Sequence, residues 1–154
     1  MTIYEEVQQQ RERLVALRRD IHAHPELGWH EIRTHALICR ELDELEIPYE
    51  TVCGTGVIAV IHGGAESPVI AFRADMDALP ITEKNTCTYA SQTPGVMHAC
   101  GHDAHMAALL GAADILKTFE DELDCTVKLV FQPSEENSLG AVNITELGFV
   151  DDVE

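Results

Sequence analysis

Three short apolar runs, GVIAVIHG (56–63), SPVIAFRAD (67–75) and CTVKLVFQP (125–133), constrain the fold of this chain more than any other feature. The first two are β-branched and bounded by glycine or proline, which predicts buried strands; the third predicts a strand stopped by Pro133. Segments with helical spacing surround them. Residues 3–23 place Val7, Leu14, Leu17 and Ile21 on one face. A second helix, about 30–46, carries Ile32, Ala36 and Cys39 on one stripe and Ile38, Leu42 and Leu45 on another. A third runs from Asp103 to about 118 along Met106, Leu109, Leu110, Ala113 and Leu116, and 138–147 predicts a last one. Pro25 and Gly28 break the pattern after the first helix, EIPYETV leads from the second into a strand, and ALPITEKNTCTYASQTPGV has no periodicity and predicts a long loop. Helices alternating with apolar strands predict an α/β class, with helices covering a mostly parallel or mixed sheet. In such sheets, sites gather beyond the carboxyl ends of the strands.

The bulk composition narrows the partners. A length of 154 residues suits one domain, and 45% hydrophobic with 24% charged residues suits a globular one. The net charge of −17, with three lysines among ten basic residues, argues against nucleic acid and membrane surfaces as partners. No apolar run approaches the ~20 residues needed to cross a bilayer. MTIYEEVQQQRERL lacks the apolar core and cleavage site of a secretory signal, so the expected location is cytoplasmic. Five cysteines, at 39, 53, 87, 100 and 125, form no CxxC pair and predict neither a disulfide framework nor a four-cysteine zinc site. Cys39 and Cys125 read as small core residues.

Three polar clusters fall at the edges of these elements. Asp75 and Asp77 stand two apart where SPVIAFRAD ends, so in an extended chain both carboxyls face one way. They form either an acidic loop or a pair suited to a cation or to orienting a histidine ligand. MHACGHDAHM (97–106) sets Cys100 and His102 either side of Gly101. That spacing splays them on a helix but lets them converge in a glycine turn. Asp103 suits the N-cap of the following helix, and Cys100 near a helix N-terminus and histidines suits a thiolate. Thiolate with imidazole suits zinc or a similar first-row ion. His98 reads as a hydrogen-bonding loop residue, and His105 as either a supporting or a helix-face histidine. Glu135 and Glu136 follow the strand CTVKLVFQP directly. They are either solvated surface or a pair in which one binds metal and the other holds the attacking water.

Four blocks in order, RRDIHAHPELGWHE, AFRADMDALPITE, MHACGHDAHMAALLGAADIL and VKLVFQPSEE, resemble the signatures of dinuclear metal amidohydrolases. That branch holds hippurate hydrolase, the indoleacetyl-amino-acid hydrolases and N-acetyl-diaminopimelate deacetylase, relatives of aminoacylase and the glutamate carboxypeptidases. The resemblance runs from about residue 14 to the end. It implies a three-layer αβα metallopeptidase-like catalytic domain, two divalent ions (Zn, Mn, Ni or Co) and a small-molecule N-acyl amino acid substrate. It also implies Cys100, His102 and Glu136 as metal ligands, Glu135 as general base and Asp77 as the residue orienting the site. Asp75 occupies a position where distant relatives carry a ligand histidine, and is expected to support the site with Asp103 and His105. Two departures stand out. Relatives follow the glutamate pair with glycines, where this chain reads EENSLGAVNITELG. They also continue past GFVDDVE into another histidine-bearing strand, an inserted lid used for dimerisation and a last histidine. Residues 1–154 are therefore expected to be the N-terminal part of a catalytic domain, without the lid or C-terminal part, while full-length relatives form homodimers. The competing readings are a truncated, inactive metal-binding remnant, a cysteine hydrolase built on Cys100, and a structural zinc module.

Overall fold

A computed structural model of the chain describes residues 2–65 and 68–154. Met1 and Ser67, which open two of the quoted stretches, lie outside the described residues. In chain order the elements are α1 (Ile3–Ala23), α2 (Ile32–Glu44), β1 (Tyr49–Val52), β2 (Gly56–His62), β3 (Val69–Asp75), α3 (His102–Thr118), β4 (Thr126–Gln132) and α4 (Leu139–Glu146). A single 3-10 turn, Glu120–Glu122, precedes β4.

Local chemistry sets several of these boundaries. Thr2 accepts from the Glu5 N–H at 3.3 Å while the Glu5 carboxyl accepts from the Thr2 N–H at 2.9 Å, a reciprocal pairing that starts α1. β4 stops at Pro133, which has no N–H to continue the ladder. Among the described residues no helix is long and apolar enough to cross a membrane.

The four strands lie in the order β1-β2-β4-β3. β1–β2 and β2–β4 pair antiparallel, while β3 and β4 run parallel, with Val69 opposite Thr126 and Asp75 opposite Gln132. The sheet is therefore mixed. Alternation along each strand sends side chains to opposite faces. Val57, Ala59, Ile61, Leu129 and Phe131 meet Leu17 and Ile21 of α1, Leu37, Ile38 and Leu42 of α2, and Met106 and Leu110 of α3. Ile58 and Val130 point the other way, onto Ile144 of α4. The result is three layers, with the larger core on the α1–α2–α3 side.

One expectation fails. β2 is buried along nearly its whole length, but β3 is not: Ile70 and Phe72 are 40% and 47% exposed. β3 is the edge of the sheet, pairing only with β4 among the described residues, so its β-branched composition satisfies strand geometry without guaranteeing cover.

Candidate metal centre

Because β3 and β4 are parallel neighbours, both release the chain at the same end of the sheet. Two loops leave together, one through Met76–Asp77–Ala78 and one through Pro133–Ser134–Glu135–Glu136. The Met76 N–H donates to the Gln132 carbonyl at 2.9 Å, so the two exits start in register. The N-terminus of α3 arrives beside them.

Asp77 joins all three pieces. It is 2% exposed, and its carboxylate accepts from the Glu135 N–H at 2.9 Å and from the Glu136 N–H at 3.1 Å. Its carbonyl accepts from His102 Nδ1 at 2.8 Å. A carbonyl cannot donate, so the proton sits on Nδ1 and leaves Nε2 available. That Nε2 lies 3.8 Å from Glu135 Oε2 and 4.0 Å from Glu136 Oε1. Gly101, at φ +90°, supplies the left-handed turn that lets Cys100 reach the same point. The ligand atoms of Cys100, His102 and Glu136 all lie within 4.8 Å of one another.

The electrostatics fit a cation. Burial alone would raise Asp77, but the His102 bond and the Glu136 and Glu135 N–H groups outweigh it and hold Asp77 below the usual carboxylate range. Burial alone would lower His102, but the Asp77 side chain and carbonyl, followed by Asp75, push it upward. The Cys100 thiol is raised by burial first, then by Glu136, Glu135 and Asp75. The expectation of a thiolate from a nearby helix terminus is thus corrected. Burial and then the surrounding carboxyl groups favour the neutral thiol when no cation is present. Sulfur, imidazole nitrogen and carboxylate oxygen together suit a first-row cation, and an ion held there would favour the thiolate.

The remaining sequence candidates divide. Asp75 is brought close: His105 Nδ1 is 3.7 Å from its Oδ2, and the two histidine rings stack with centroids 5.4 Å apart. The ligand atoms of Asp75, His102 and His105 also fall within 4.8 Å of one another, but His105 is half exposed. Asp75 also takes a bond from Arg73 Nε at 2.8 Å, and Arg73 Nη2 lies 3.9 Å from Glu135 Oε1. Arg73 is thus a further charged residue of the site, and its signal in the sequence is a cation two residues before an acidic strand end.

Asp103 is not the N-cap. Gly101 occupies that position, and Asp103 lies inside the first turn, fully buried. Its Oδ2 accepts from Arg18 Nε at 2.7 Å and pairs with His22 Nδ1 at 2.7 Å, fastening α1 to α3. His98 is likewise no ordinary loop residue. It is 3% exposed, neither ring nitrogen finds a partner among the described residues, and burial pushes its pKa down to about 4 against the pull of Asp103.

The other nitrogen of His22 meets Glu83 Oε1 at 3.1 Å, and Glu83 also accepts from the Ser91 N–H at 2.6 Å and Asn85 at 3.0 Å. Burial opposes ionisation of Glu83, yet Ser91, Asn85 and His22 together bring it from its ordinary 4.5 down to about 2. A folded-state value below the unfolded one gives stability that is complete above about pH 4.5 and fades as pH falls toward 2. Glu83→Gln is therefore expected to lower the urea midpoint at pH 7, with the gap to the unaltered protein closing between pH 4.5 and 2. A gap that is constant across that range would show that the charge of Glu83 contributes nothing.

An α/β sheet end that gathers thiol, imidazole and carboxylate donors beside an adjacent second carboxyl offers a donor set suited to a first-row cation. Residues 71–153, more than half of the chain, match Peptidase family M20/M25/M40, and the chain belongs to this family of hydrolases. It is 50% identical over 141 residues to the Arabidopsis thaliana IAA-amino acid hydrolase ILR1-like 5, covering 91% of this chain and 32% of that protein. It is 49% identical over 142 residues to the N-acetyl-L-cysteine deacetylase of Bacillus subtilis, covering 92% of this chain and 34% of the deacetylase. The crystal structure of the Bacillus subtilis YXEP protein, a dinuclear metal-binding peptidase from the M20 family, superimposes with a TM-score of 0.91 at 45% identity, over 96% of this chain and 42% of that one. The chain spans about a third of the length of these curated relatives.

Proposed function

We propose that the protein hydrolyses the amide bond of N-acyl amino acids, releasing a carboxylic acid and a free amine, and that residues 1–154 supply its base and part of its metal site as the N-terminal part of a catalytic domain. One observation carries this reading: Cys100, His102 and Glu136 direct their ligand atoms to one point, within 4.8 Å of each other, with the Glu135 carboxyl beside it. In this role Cys100, His102 and Glu136 hold a divalent ion such as zinc, manganese, nickel or cobalt, one of two in the whole enzyme. When bound, the ion supplies Lewis acidity that makes water a stronger acid and the amide carbonyl a better electrophile.

The residues do the rest. Glu135 is the general base: one carboxylate oxygen takes a proton from the attacking water and later delivers it to the departing amine nitrogen. The Glu135 and Glu136 carboxyls both lie beside His102 Nε2, at 3.8 and 4.0 Å, so one can serve the ion while the other serves the water. Asp77 holds both in place through their backbone N–H groups and sets the His102 ring through its carbonyl. The printed names of the two curated relatives, an IAA-amino acid hydrolase and an N-acetyl-L-cysteine deacetylase, support an N-acyl amino acid as the substrate class.

The test is an assay of the full-length protein with N-acetyl, N-benzoyl and N-indoleacetyl amino acids, before and after chelation. Turnover that vanishes with chelator and returns on adding one of these metals is the expected result. Absence of turnover toward all three classes in metal-loaded protein, or turnover indifferent to chelator, would refute the proposal.

A further inference from the structure

We propose that Glu31, in the stretch HPELGWHE between α1 and α2, is a positioning residue of the metal centre that fixes the loop carrying Glu135 and Glu136. The proposal rests on the reading of those two glutamates given above.

Three consecutive backbone N–H groups in that loop end on buried carboxyls. Ser134 donates to Glu31 Oε1 at 2.9 Å, Glu135 to Asp77 Oδ1 at 2.9 Å and Glu136 to Asp77 Oδ2 at 3.1 Å. Asp77 thus holds only two of the three, and Glu31 holds the one at the point where the chain leaves β4. That point is conformationally demanding, because Ser134 sits at φ +52°, in the left-handed region that a side chain other than glycine enters only when held. Ser134 and Glu31 are both fully buried, so water does not replace the bond. The second oxygen of Glu31 is also committed: Thr55 Oγ1 donates to Oε2 at 2.6 Å, fixing the carboxyl from the β1–β2 turn.

The same segment braces the other site loop. The Ala78 N–H, one residue beyond Asp77, donates to the Glu26 carbonyl at 2.8 Å, and Leu27 bridges to Ala78. The Glu26 carboxyl in turn accepts from the Arg33 and Thr34 N–H groups at 3.0 and 2.8 Å, anchoring the segment to the start of α2. Gly28 permits the approach, since a Cβ there would overlap the Ser134 hydroxyl. Residues 26–31 therefore touch both loops that leave the sheet, and Glu31 is the one side chain of the segment that bonds directly to the backbone beside the glutamate pair. Removing its acceptor frees Ser134 to relax from the left-handed region and turns the following carboxyls away from His102 and Cys100.

The test uses the full-length enzyme and two variants, Glu31→Leu, which has no acceptor for the Ser134 N–H, and Thr55→Val. Cobalt(II) is the probe: its thiolate charge-transfer band reports the Cys100 bond, and competition with a chelator reports affinity. Both variants are also assayed for kcat and KM on an N-acetyl amino acid, well below their melting temperatures. Glu31→Leu is expected to weaken cobalt binding about tenfold to a hundredfold while retaining the thiolate band, and to lower kcat at least about tenfold with KM little changed. Thr55→Val, which leaves Glu31 in place but unfastened, is expected to show the same pattern at about threefold. A merely structural Glu31 would lower the melting temperature and leave cobalt affinity and kcat untouched, and that result would overturn the proposal. Should Glu31→Leu fail to fold, the Thr55→Val measurement decides by the same criteria. An unaltered enzyme that shows neither a cobalt–thiolate band nor hydrolysis would instead defeat the metal-centre reading, and the role of Glu31 with it.

Discussion

Glu135→Gln is expected to lower kcat about a thousandfold, within the range that a general base contributes, while metal content and KM stay unchanged. The substitution is nearly isosteric, and the feature that places residue 135 is its backbone N–H bond to Asp77, which the variant keeps. The proposed ligands Cys100, His102 and Glu136 are also untouched. What disappears is the ability to accept a proton from water and return it to the amine. Rate measurements on the metal-loaded full-length enzyme, with metal counted by atomic absorption, separate the outcomes. Activity within a few-fold of the unaltered enzyme would remove Glu135 from the mechanism.

Asp77→Asn is expected to be damaging to a smaller extent and by a different route. An amide offers one acceptor oxygen where the carboxylate offers two, so either the Glu135 or the Glu136 N–H must face an NH₂ group in a buried site. An unsatisfied buried donor costs about 1–3 kcal/mol. The His102 ring also loses the neighbouring negative charge that holds it upward. Because one loop bond and the electrostatics of one ligand fail together, metal affinity is expected to fall about 10–100-fold and kcat with it, the scale typical of residues that orient ligands. Calorimetric metal titration and thermal melting check both halves. A variant with unchanged metal affinity would show that the two N–H bonds do not position Glu136.

Much of this organisation was legible in the residues. The periodicity of residues 3–23 and of 103–118 located α1 and α3 closely, because Leu17 and Ile21 of α1 and Met106, Leu109, Leu110 and Ala113 of α3 are buried in the core, although Val7 at the start of α1 is 40% exposed. The strand exits and the clusters beside them were readable because parallel α/β strands deliver polar loops to one end. Burial of β3 was not readable, since composition reports what a strand can pack and not whether a neighbour is present; Phe72 is the instance. Asp103 looked like a cap because a short acidic residue before a helical stripe is the usual signal, but Gly101 already made the turn, and Asp103 was drawn inward by Arg18 and His22 from a helix eighty residues earlier. Glu31 escaped for a related reason: its partners, Thr55 and Ser134, lie in segments with which it shares no local pattern.

Those separations bear on the order in which the molecule can be assembled. Glu31 leaves synthesis 103 residues before the Ser134 N–H it accepts, and Asp77 precedes the Glu136 N–H by 59. Until β4 slots between β2 and β3, these buried carboxyls lack the Ser134, Glu135 and Glu136 N–H donors. Closing such long loops is the slow part of folding. Insertion of β4 between β2 and β3 is therefore a precondition for the centre, because it carries the Ser134, Glu135 and Glu136 N–H groups to these carboxyls.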